Sequence, residues 1–192
     1  MAERDTRIEK DGGSSRGTGA YLRFLAMIGT AMVVMYITTY LNTYELSHVE
    51  FSETRVFMTL IMGSTMALVM LGFMLGMYMD RRANLAVVLG ALAVLGLATW
   101  LVRSQTTVQE ESYMRAMIPH HSIAILTSEN SEMEDQRVCE LAVEIIEAQR
   151  REIDEMNWLI ADISDNGPAT SAEEAAQRPV PEFAGTALRN CG

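Results

Sequence analysis

Residues 56–79 read Val-Phe-Met-Thr-Leu-Ile-Met-Gly-Ser-Thr-Met-Ala-Leu-Val-Met-Leu-Gly-Phe-Met-Leu-Gly-Met-Tyr-Met, twenty-four residues without a charge. As a helix rising 1.5 Å per residue this run is about 36 Å long, enough to cross a hydrocarbon core of about 30 Å. Uncharged runs of eighteen residues lie on either side of it, Phe24 to Leu41 and Leu85 to Val102. Three runs of this length predict three transmembrane helices rather than buried helices of a soluble protein. A cleavable signal peptide is disfavoured, because two more spans follow the first and no small-residue cleavage site closes it.

The charges divide the chain at the end of the third run. Residues 1–103 hold nine Lys/Arg against eight Asp/Glu, a net of +1, and residues 104–192 hold six against seventeen, a net of −11. A chain that is 49% hydrophobic with a net charge of −10 is therefore an apolar half followed by an acidic one. The acidity disfavours a nucleic-acid partner and suits cation handling. Four regions follow: a disordered tail over 1–20, a transmembrane region over 21–103, a helical hairpin over 109–163 and a flexible tail over 164–192.

Basic residues set the expected orientation. Arg4, Arg7, Lys10, Arg16 and Arg23 precede the first span, and Arg81 and Arg82 occupy the second loop. The first loop, 42–55, has Arg55 as its sole basic residue. A cytoplasmic N-terminus and a periplasmic or otherwise extracytoplasmic C-terminal domain on an inner (plasma) membrane are expected. Tyr36, Tyr40 and Tyr44 then fall where the first span reaches the outer surface, as an aromatic anchor would.

Methionines recur at 58, 62, 66, 70 and 74 in the second span. Steps of four drift by about 40° each, so they form a winding band. Without Cys, His or carboxylate to fix an ion, adaptable packing is the better reading of this band than a metal ladder. Gly72 and Gly76 form a small-xxx-small pair suited to close helix contact.

In the acidic half, Tyr113-Met-Arg-Ala-Met-Ile-Pro-His-His121 collects soft and borderline donors. On a helix Glu110, Met114, Met117 and His121 share an arc of about 60°, with His120 beside them. Thioethers with imidazoles suit copper. Pro119 should kink or restart this helix. After a turn over 128–135, capped by Ser131, a second helix runs from about Asp135 to Ile163 and stops at Asn166-Gly167-Pro168. Gln149, Glu152 and Met156 share one arc of it and can face the Met/His helix. Glu152 at a solvated edge, paired with Arg151 or Arg115, is the competing reading. Glu45 and His48 make a single Glu-x-x-His, too little for a di-iron site, with His48 left as an auxiliary ligand. Cys139 reads as a core residue and Cys191 as a free or intermolecular thiol, although an oxidising compartment would permit a pair.

Met117-Ile-Pro-His-His121, followed by Glu140-Leu-Ala142, Ile145-Ile146, Gln149, Glu152-Ile153, Met156 and Trp158-Leu159, resembles domain-of-unknown-function family 305. The resemblance covers about residues 109–162 and departs from the family pattern at Ser122-Ile123. It implies a ferritin-like helical bundle and extracytoplasmic binding of copper or silver through the Met and His residues. The whole is an all-α protein, three transmembrane helices followed by an extracytoplasmic hairpin that two copies would complete as a four-helix bundle. The expected ligands of Cu(I), or Ag(I), are Met114, Met117, His120, His121, Met156 and Glu152, with Glu110, Gln149 and His48 as supporting groups. The partners are the lipid bilayer, the metal ion and a second copy. No catalytic motif is present, so a non-enzyme is expected. The competing function is an interaction module that dimerises or docks a partner without metal.

Overall fold

The computed structural model describes residues 5–191, of which residues 5–18 are described by their helical backbone alone. The described chain is all-α: α1 Asp5–Thr38, a 3-10 turn Leu46–His48, α2 Glu53–Phe73, α3 Arg81–Ser104, α4 Glu110–Asn130, α5 Gln136–Asn166 and α6 Ala172–Gln177. Contacts divide it into two units, α1 with residues 54–106, and residues 39–53 with the chain from 107 onward.

In the first unit three helices are long and apolar enough to cross a membrane, over Gly19–Thr38, Glu53–Phe73 and Arg81–Ser104. Helical backbone begins at Asp5, in most of the segment expected to be disordered. Once an apolar helix is nucleated, each added residue gains a hydrogen bond at little further cost. Residues 1–4 of that expected tail lie outside the described residues.

Phe24, Ile28, Ala67, Leu71 and Tyr78 form the core of this unit, with Met32, Met66, Met70 and Met74 packed on it. Met58 and Met62 stay exposed. The four-residue spacing thus splits as its drift requires, into packed and outward methionines.

Close contact comes from a different glycine than expected. A Cβ on Gly63 would fall 2.3 Å from the Met32 sulfur, whereas nothing lies within 4 Å of one on Gly72 or Gly76. The helix also ends at Phe73, short of Met79. Beyond it the chain turns, and polar bonds anchor the turn. Asn84 Nδ2 donates to the Tyr78 carbonyl at 2.8 Å, and Tyr21 donates to Asn84 Oδ1 at 2.7 Å. Asp80 caps α3 by accepting from the backbone N–H groups of Arg82 and Ala83.

In the second unit α4 packs on α5 around Met114, Ile118, Ile125, Ile146, Ile153 and Ile160. Their spacing of four and seven places them on the facing stripes. Ile118, Ile125 and Ile146 are fully enclosed, each worth about 1.5–3 kcal/mol relative to exposure. Pro119 is buried inside α4, which runs unbroken instead of restarting. Enclosure of its ring in the packed face offsets the missing N–H, which is one backbone bond.

Asp135 caps α5 by accepting from Arg137 N–H. Ser131, expected in that role, closes α4 and donates to the Thr127 carbonyl at 2.6 Å. The aspartate lies immediately before the first helical turn and reaches the free amides that Ser131 cannot. Gly167, at φ 77°, ends α5 where Asn166-Gly167-Pro168 predicts.

The segment expected to be a flexible tail is tied down. Arg178 pairs with Asp162 at 2.5 Å, Leu188 N–H donates to Glu129 at 3.0 Å, and Cys191 is disulfide-bonded to Cys139. Cys139 is buried as expected, and the pairing replaces the expected free or intermolecular thiol at Cys191. Closing a loop of 52 residues stabilises by about 4 kcal/mol in the chain-entropy picture.

Candidate metal centre

α4 and α5 bring His121 and Glu152 face to face. Nδ1 of His121 lies 3.2 Å from Oε2 of Glu152, and the His121 side chain is 13% exposed. Gln149 Nε2 reaches the same carboxylate oxygen at 3.4 Å. The imidazole and carboxylate lack the alignment of a hydrogen bond, so the buried Nδ1 has no hydrogen-bond partner. Burial pushes the His121 pKa below its ordinary value, Glu152 pulls it back up, and the neighbouring His120 lowers it further.

The other expected ligands divide by depth. Met117 is half-buried and His120 is exposed, its ring centroid 6.2 Å from that of His121. Met114 is 6% exposed and belongs to the core, with Met156 packed against it. Glu110 sits in the first turn of α4, where with Arg115, Ile163 and Pro168 it lines a hollow of about 680 Å³. That is about three helical turns from His121. Among the described residues no group of three or more His, Cys, Asp and Glu side chains is placed to hold a metal ion. A centre at His121 would therefore need thioether sulfur in its donor set, and Met117 is the half-buried sulfur about one helical turn before it.

His48 is buried on another face of α4. Its Nδ1 lies 2.9 Å from the Ser122 hydroxyl, which also accepts the Tyr44 backbone N–H at 2.7 Å. Tyr40 donates to the Glu50 carbonyl at 2.8 Å, and the Tyr44 ring lies under the Arg150 guanidinium at 5.0 Å. These two tyrosines, expected as interfacial anchors, also hold the fold of the first loop. Arg115 completes the attachment through Glu50 at 2.6 Å.

Ser122 belongs to no motif that marks it as functional. Its one signal in the sequence is the departure from the family pattern directly after the histidines. A cavity of about 250 Å³ next to His48 is lined by Glu45, Arg150 and Asp154, and by Ala184 and Thr186 of the C-terminal segment. Burial lowers the His48 pKa, with Glu45 and Asp154 raising it and Arg150 lowering it further.

Residues 100–187 match the family described as "Domain of unknown function (DUF305)". That range contains α4 and α5, the helices whose residues carry the resemblance. The chain is also similar to "Uncharacterized protein L153" of Acanthamoeba polyphaga mimivirus, 27% identical over 142 residues, covering 70% of this chain and 91% of that protein. No solved structure matches it.

Proposed function

We propose, taking the DUF305 match of residues 100–187 as premise, that this is a membrane-anchored protein whose extracytoplasmic hairpin binds Cu(I) or Ag(I). The observation that carries the reading is the buried, unpartnered His121 Nδ1 opposite Glu152, in a helix that sets Met117 four residues earlier. An imidazole held neutral by burial is ready to ligate without first losing a proton. Met117 supplies the soft donor, Glu152 and Gln149 orient or complete the set, and His120 is the exposed imidazole by which an ion arrives. A bound Cu(I) would supply the partner that Nδ1 lacks. The role is handling or tolerance of the ion, with no turnover.

Four features support this localisation. Three apolar helices suit a bilayer, and basic residues gather before the first and in the loop after the second. A disulfide persists in an oxidising compartment. Residues 39–53 fold with the C-terminal domain, which supports placing both on the same side, with two crossings between them.

The test is an anaerobic Cu(I) competition titration on the full chain in detergent, with X-ray absorption on the loaded protein. One-to-one binding with mixed sulfur and nitrogen scattering, lost in Met117→Leu/His121→Ala, is expected. Unchanged affinity in the double variant would sink the assignment.

A second reading rests on Met114 and Met156, which pack in or against the core. In it the methionines are packing and the hairpin dimerises or docks a partner. It predicts a melting midpoint indifferent to metals and chelators but dependent on protein concentration.

A further inference from the structure

The C-terminal segment 178–191 lies across α4 and α5 without regular structure of its own. Arg178 secures its start, on Asp162 at 2.5 Å and on the Gly167 carbonyl at 3.2 Å. Gly185 marks its closest approach. A Cβ there would fall 1.8 Å from the Glu147 carbonyl oxygen, so only glycine lets the strap lie against the α5 backbone. On either side of that glycine, Ala184 and Thr186 form one wall of the cavity that holds His48, Glu45, Arg150 and Asp154. The far end is held by Leu188 N–H on Glu129, Arg189 on the Ser131 carbonyl, Gln136 on the Cys191 carbonyl at 3.0 Å, and the Cys139–Cys191 bond.

We infer that this strap is a lid over the His48 cavity and that the Cys139–Cys191 disulfide is its latch. The non-covalent ties at the far end are exposed hydrogen bonds, each weak against the entropy of ordering an irregular segment. The covalent bond removes most of that entropic cost, so the lid stays closed while the bond is intact. A dithiol reductant opens it. Two electrons and two protons pass to the cystine, leaving thiols at Cys139 and Cys191, and the reductant leaves as its own disulfide. Released at that end, the strap pivots about Arg178 and the cavity becomes open to solvent. His48, 8% exposed with the strap in place, is the natural reporter.

Full-length protein in detergent is treated with diethyl pyrocarbonate, before and after reduction with dithiothreitol, capping with N-ethylmaleimide and removal of excess reagent. Modification of each histidine is followed by mass spectrometry, with the exposed His120 as internal reference. Reduction is expected to raise the His48 rate about fivefold or more relative to His120, as for a local opening that leaves the helices intact. Gly185→Leu, which lifts the strap without touching the disulfide, should raise it in the oxidised protein. An unchanged His48 rate, with both thiols shown capped, overturns the inference. So does a parallel rise at half-buried His121 with loss of helical circular dichroism, since reduction would then loosen the whole domain.

Discussion

The Ser122 hydroxyl stands 2.9 Å from His48 Nδ1 across 74 residues of sequence. It is fully enclosed, and it takes the Tyr44 amide as well. Ser122→Ala leaves a half-buried amide and a buried ring nitrogen without their partner. A loss of about 1–3 kcal/mol is expected, read as a lower melting midpoint of the full chain in detergent. A midpoint within error of the parent would mean that the loop is held by its other contacts alone.

The same histidine makes stability depend on pH. Its pKa in the folded protein lies below 6.5 because burial disfavours the cation. Between those two values the unfolded chain binds more protons than the folded one. Stability from His48 is therefore complete above about pH 6.5 and declines as pH falls through the folded pKa, by at most about 1.4 kcal/mol per pH unit. Midpoints measured from pH 7.5 to 5 should fall less steeply in His48→Gln than in the parent. Parallel curves would refute this.

Arg115 and Glu50 meet at 2.6 Å, yet their side chains are 36% and 25% exposed. Water screens such a pair, and Glu50→Gln should cost under about 1 kcal/mol. The comparison with Ser122→Ala separates a buried tie from a solvated one between the same two pieces of chain. If the two variants lose equal stability, the ranking by burial is wrong.

Within the apolar unit, Gly63→Ala forces the Met32 side chain to move, because the new Cβ would overlap its sulfur. Overpacking of this kind costs about 1–3 kcal/mol. Met32 is flexible, so the loss should be recovered when Gly63→Ala is combined with Met32→Ala. Tm of the four proteins in detergent forms the cycle, and additive losses would show that the two positions do not touch.

The three apolar helices were legible because an uncharged run of eighteen residues or more has few other solutions. The stripes of α4 and α5 were legible too, since Ile118, Ile125, Ile146 and Ile153 keep helical spacing. Less legible was the end of α2, where no charge marks the turn at Met74 to Met77. The Ser122–His48 and Cys139–Cys191 links join residues 74 and 52 apart, and no local pattern predicts which distant groups meet. Gln149 and Glu152 could be placed on one arc by arithmetic. Their meeting with His121 depends on how far one helix slides along the other, which sequence spacing does not set.

A ribosome makes residues 39–53 long before it makes α4. Tyr44, His48 and Glu50 must therefore wait, without Ser122 and Arg115, while the two intervening helices are synthesised. During that interval the loop is an unfinished surface, and a chaperone or protease would meet it first. On the proposed membrane anchoring, a charge placed in α2 or α3 that delays their insertion should thus show itself as degradation of a domain that does not contain it.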